Sequence, residues 1–197
     1  MRGALPVRLR ASATDTRLRG QSMVEFAIVA PLFFFIFFSV INGGILLFSR
    51  NAIQHATDVG AAEIAAEGDT PANADQIALS AMSQAGVKNA MLTKVTLVTV
   101  TKEDQSTNSN GATILTLDTS GCGGLPCENT YTLVAGTWTA GLANWPPADR
   151  SVNQTNGVGG KPDFARLQVT YTFTTIGGFT HFNLTSTVVF RLEPQSL

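Results

Sequence analysis

Two cysteines and two histidines in 197 residues leave little material for a metal site or a disulfide scaffold. Charge is scarce too. At 14% charged and 44% hydrophobic, the chain is too apolar for an extended disordered polymer. No basic excess exists: the sequence pI is near 6.1, and only eight basic side chains are spread from Arg50 onward. Nucleic acid is therefore not an expected partner. No P-loop, dinucleotide fingerprint or His-Glu-x-x-His string occurs, and His55 and His181 are each isolated. The Ser106–Gly111 stretch lacks the first-position Asp of a calcium loop and has Leu117 where Glu would stand. No cofactor, metal or enzymatic activity is expected.

The net charge of -1 conceals a polarised chain. Arg2, Arg8, Arg10, Arg17 and Arg19 stand against Asp15 in residues 1–20, a local +4; residues 21–49 hold only Glu25; the remainder sums to -4. Phe26 to Phe48 is a 23-residue run without a charge and contains seven of the 12 phenylalanines. At about 1.5 Å per residue it reaches roughly 35 Å, enough for a hydrocarbon core of about 30 Å. The run predicts one membrane helix over 21–49, with the +4 leader held in the cytoplasm and residues 50–197 outside. A cleavable secretory signal is the competing reading, but its apolar core is shorter and a small-residue cleavage site follows directly; here Phe48, Ser49 and Arg50 follow. Pro31 predicts a kink near Ala27–Pro31. Asn42, Gly43 and Gly44 predict either close approach of another helix or local loosening.

Beyond the span, Ile53, Ala56, Val59, Gly60 and Ile64 share one small-residue face of a helical stalk, suited to packing on the outer domain or on sister subunits. Thr70 and Pro71 predict a helix start, with Ala74, Ile77, Ala78, Ala81, Met82 and Ala85 on its apolar face and Gly86 at its end. The period then becomes two. Val95 and Leu97 begin a strand, 114–117 and 131–135 are shorter candidates, and the alternations from Leu167 to Phe173 and from Leu184 to Leu192 predict a hairpin turning at 176–183. The expected fold is α+β: a long N-terminal membrane-spanning helix, then an outer domain with a short helix and a small antiparallel sheet. Residues 103–163, rich in Thr, Asn, Gly and Pro, read as long surface loops or a poorly ordered insertion. Within them Cys122 and Cys127 enclose Gly-Gly-Leu-Pro, the pattern of a small disulfide loop on the oxidising side of a membrane.

Glu25 abuts the apolar run, where a carboxylate is unfavourable by roughly 2.5 to 3.5 kcal/mol at membrane depth unless it has a partner or a task. A solvated position at the interface, favoured by the helix dipole, is the simplest explanation. The surrounding string, Arg-Gly-Gln-Ser-Met-Val-Glu-Phe, resembles the processing site of type IV prepilin-like proteins. The stretch Gly-Gln-Ser-Met-Val-Glu-Phe-Ala-Ile-Val-Ala-Pro-Leu from Gly20 is similar to TadE-like pseudopilins of tight-adherence (Tad, Flp-type) pilus systems. This resemblance implies cleavage after Gly20 by a prepilin peptidase, Gln21 as the new N-terminus, and Glu25 followed by Phe26 as the assembly determinant. It further implies partnership with other pilin-like subunits and the pilus assembly machinery, a bacterial inner-membrane location and a role in adhesion or secretion. Glu25 would meet the new amine of a neighbouring subunit, so that two charges in an apolar setting neutralise each other. Gln21 departs from the apolar first residue of major type IV pilins, and Glu63 stands where the family pattern leads one to expect arginine. The alternative is a single-pass anchored binding module, outside any filament, with its function in loops 103–163.

Overall fold

The computed structural model describes residues 15–67, 73–87, 92–152 and 163–192, and of 15–21 the helical backbone alone. The chain forms two compact units, Met1–Gly43 and Gly44–Leu197. Helix α1 (Asp15–Glu67) contains Pro31 and runs without interruption past Gly43 and Gly44. The apolar span and the stalk expected beyond it are thus segments of one helix.

In the first unit the helix is apolar on every side. Phe35 is 71% exposed, Ile28 72% and Val40 68% among the described residues. Stacked pairs one turn apart, Phe33 on Phe37 and Phe34 on Phe38, order the aromatic surface. The polar side chains turn inward on their own helix: Ser39 Oγ donates to the Phe35 carbonyl at 2.7 Å and Asn42 Nδ2 to that of Phe38 at 2.9 Å.

The second unit is a sheet with helices on one face. Its strands are β1 (Thr93–Thr107), β2 (Thr113–Leu117), β3 (Glu128–Val134), β4 (Thr137–Ala143), β5 (Phe164–Thr174) and β6 (His181–Arg191), all antiparallel in the order β4-β3-β1-β5-β6, with β2 on the far end of β1. The alternations predicted for β5 and β6 hold, and Ala165, Leu167, Val169, Tyr171 and Phe173 are buried. The stalk part of α1 packs on its own sheet: Ile53, Ala56 and Ile64 are fully covered, and Ser186 of β6 donates to Gln54 at 2.8 Å. Gly60 sets the approach. A Cβ there would lie 2.5 Å from Met82 Sδ and 3.0 Å from Leu167 Cδ2.

Several expectations are corrected. The predicted start at Thr70 and Pro71 lies outside the described residues; helix α2 (Ala74–Met82) has Asn73 as its N-cap residue. Its buried face carries Asp75 and Leu79 with Ala74, Ala78 and Met82, whereas Ile77 and Ala81 line an open groove beside Val59 and Glu63. Gly86, at φ 145°, ends the turn Ser83–Val87 that follows, in a conformation only glycine adopts readily. In β1 a register shift between Val95 and Leu97 moves the buried parity from Val95 to Val98 and Val100, leaving Leu97 only half-buried. Residues 103–163 are not simply loops: they hold the end of β1, all of β2, β3 and β4, and a short 3₁₀ turn at Pro147–Asp149.

Because Gly60 admits no side chain without moving Met82, Gly60→Leu in the full chain should cost roughly 1 to 3 kcal/mol through overpacking. Denaturant unfolding in detergent, followed by tryptophan near-UV circular dichroism, measures it. Gly60→Leu with Met82→Ala should recover part of the loss, and an unchanged midpoint in the single variant would contradict the packing described.

Candidate functional site

Two sets of residues stand out, one at the foot of α1 and one buried in the outer domain. At the foot, Gly20 and Gln21 lie in helical backbone, and Glu25 and Phe26 are exposed, Phe26 at 69%. Four residues advance a helix by about 6 Å and slightly more than one turn, so Gln21 and Glu25 share a face. A chain beginning at Gln21 would place its amine one turn before the carboxylate, at the positive end of the helix dipole. Large apolar side chains surround this position: Met23 is 76% exposed and Val24 60%. Glu25 thus stands as a carboxylate within a largely apolar, exposed helix surface.

The outer set has a carboxylate at its centre. Asp75, in the first turn of α2, is 3% exposed and meets Arg150, also 3% exposed, through Nη1 at 2.7 Å and Nη2 at 2.8 Å. Tyr131 donates its hydroxyl to Asp75 Oδ2 at 2.6 Å, and Asn129 Nδ2 donates to the same oxygen at 2.9 Å. Asn129 also donates to the Trp145 carbonyl at 2.7 Å and accepts from the Trp145 amide at 3.0 Å, while the Arg150 guanidinium sits 4.8 Å above the Trp145 ring. Burial by itself raises the Asp75 carboxyl; the hydrogen bonds and positive charge of Arg150, with Tyr131 and Asn129, outweigh it and hold the group below its ordinary value. Tyr131 is pushed up, first by burial and then by the charge of Asp75, so it remains a donor. This arrangement fastens α2, β3 and the segment 145–150 together. At the other end of α2, Trp138 of β4 donates to the Leu79 carbonyl at 3.0 Å and to Ser83 Oγ at 2.9 Å.

Sequence reasoning missed this network. Asp75 reads as an ordinary acidic residue in a first helical turn, and Arg150 lies in a segment read as loop. Their separation of 75 positions gives no local pattern. The expected disulfide is present: Cys122 and Cys127 are bonded and close a five-residue step. Asp118 anchors the same turn, accepting from the amides of Ser120 at 3.1 Å and Gly121 at 2.6 Å. Among the described residues no group of His, Cys, Asp or Glu is placed to hold a metal ion.

An apolar helix with a carboxylate at its foot, followed by an α+β domain, defines the class; one helix, Ser22–Glu67 in its described part, is long and apolar enough to cross a membrane. Residues 20–62 match the family model described as TadE-like protein. The match begins at Gly20, covers Glu25 and the apolar run, ends one residue before Glu63, and includes no strand. No curated protein and no solved structure matches the chain.

The buried pair generates a pH dependence with a definite sign. The folded value of Asp75 lies below its unfolded value of about 3.9, so its contribution is complete above that value and is lost as pH falls through the folded value. Asp75→Asn should cost about 3 to 5 kcal/mol at neutral pH by leaving Arg150 buried without its counter-charge. It should also flatten the acid limb of a stability–pH curve below about pH 4. Chemical denaturation across that range tests both effects, and an unaltered acid limb would remove Asp75 as its source.

Proposed function

We propose that this chain is a membrane-anchored, TadE-like pilin subunit that serves assembly of a Tad-type pilus or related secretion filament in a bacterial inner membrane and supports adhesion. The observation that carries the reading is a coincidence of position: the family match falls on the helix that, among the described residues, is long, exposed and apolar, with Glu25 at its foot. In the proposed orientation residues 1–20 are cytoplasmic, following the +4 leader, and the sheet domain is extracytoplasmic. The disulfide supports this side for the domain, since reducing cytoplasm does not maintain such bonds.

The mechanism uses this chain's own groups. Cleavage after Gly20 removes the arginine-rich leader and exposes an amine at Gln21. In the bilayer that amine and Glu25 of a neighbouring copy neutralise each other, which lowers the cost of drawing both helices into an apolar bundle. The all-round apolar surface of residues 26–40 then exchanges lipid contacts for helix contacts. The role is structural, with no catalytic step assigned to the chain.

Intact mass of the membrane form, from a host carrying the prepilin peptidase, should correspond to a chain beginning at Gln21; retention of residues 1–20 would overturn the processing step. Glu25→Ala should insert normally yet abolish piliation. Pili of normal number with that variant would favour the plain anchored binding module.

The orientation has its own readout. Cys122 and Cys127 in protein taken from cells should resist a thiol reagent under denaturing conditions until reduced. Two reactive thiols would place the domain on the reducing side.

A further inference from the structure

β6 is the last strand of the sheet and its outer edge is built for pairing. The parity of its hydrogen bonds follows from both ends of the hairpin. The Thr175 amide donates to the Thr180 carbonyl at 3.0 Å, and the Leu192 amide to that of Asp163 at 3.0 Å. The even-numbered residues of β6 therefore direct their backbone toward β5, and Asn183, Thr185, Thr187 and Val189 direct theirs outward. Among the described residues none bonds to these outward groups.

Exposed edges are usually blunted by lysine, proline, a bulge or short length. β6 has no lysine, proline or bulge: it pairs with β5 through 11 consecutive positions without a register shift, and its one charged residue, Arg191, stands at its end. The opposite edge strand, β4, has seven residues, includes Gly141 and pairs irregularly with β3. The inner face of β6 is also only partly covered at its ends: Phe182 is 46% exposed, and Leu184, Val188 and Phe190 are half-buried.

We infer that this edge binds β6 of a second copy of the chain, antiparallel, about a two-fold axis at Ser186. The occupant is chosen by self-complementarity. In that register every position from 181 to 191 finds a partner: Thr185 faces Thr187 of the other copy, Leu184 faces Val188, Phe182 faces Phe190 and Asn183 faces Val189. The apolar residues left half-covered in one copy thus meet apolar residues of the other, and the charge in the strand is confined to its ends, where Arg191 faces His181. A strand displaced by two positions would lose a residue pair at each end. The inference draws only on the outer domain and does not depend on processing at Gly20 or on Glu25.

Ser186 is its own partner at the axis, in a pair without backbone hydrogen bonds, where Cα atoms lie about 4.5 Å apart and a disulfide can close. Full-length Ser186→Cys in detergent, mildly oxidised, should give a covalent dimer. Leu184→Cys should not, because its counterpart in the register is Val188. Adding Thr185→Lys and Thr187→Lys to Ser186→Cys sets lysine against lysine twice and should lower the dimer yield about tenfold. Unfolding midpoints close to the parent chain's identify the variants as folded. Sedimentation of the unmodified full chain as a dimer, with the Thr185→Lys, Thr187→Lys form a monomer, supplies the same answer without cysteine. A monomeric parent chain, equal crosslinking at Leu184→Cys, undiminished crosslinking in the folded lysine form, or capture of a different polypeptide by Ser186→Cys in cells would each overturn the homotypic edge. A chain that dimerises in this way but keeps residues 1–20 would overturn the processing step alone.

Discussion

The close approach of the stalk to β5 is the constraint on which the outer domain rests. A helix normally lies on a sheet at a distance set by its side chains, and here Gly60, with Ala56 and Ile64 on either side, lets Met82 and Leu167 fill the space against the helix backbone. Three elements remote in sequence meet at that point: the stalk, α2 and the central hairpin strand. A larger residue at Gly60 would separate all three at once. The apolar half of α1 faces a different requirement, since its phenylalanines stack on one another along the helix and still remain largely exposed.

Polar specificity enters elsewhere. Asp75 and Arg150 form an ion pair that contributes little net stability relative to an apolar pair but admits few alternative partners. Tyr131 and Asn129 complete the coordination of the carboxylate, and the Trp145 ring lies under the guanidinium. The result is one permitted position for α2 over β3. Together with Trp138 at the far end of the helix, it fixes both rotation and translation.

How much of this was readable in sequence depended on whether the signal was local. Gly20, Glu25 and the 23 uncharged residues after it form a contiguous pattern, and so do the alternations of β5 and β6. The two cysteines were legible because five positions and two glycines define a turn. Val98 and Val100 were hidden by the bulge near Thr96, which reverses parity within a strand. β4 was hidden because Thr-Trp-Thr-Ala-Gly-Leu-Ala carries weak alternation and a glycine, and is held by its pairing with β3. The Asp75 network was hidden most completely, since its members come from three separate segments and each is unremarkable in its own neighbourhood.

The inward hydrogen bonds of Ser39 and Asn42 have a consequence for how such a helix changes surroundings. The Ser39 hydroxyl and one Asn42 N–H are engaged by the Phe35 and Phe38 carbonyls, which reduces the polar groups this stretch of helix shows to its surroundings. To that surface, acyl chains and the flanks of other helices are nearly equivalent media. In the proposed assembly the segment would resemble a solute with similar solubility in two solvents, and small differences in packing, together with Glu25, would decide its transfer between them.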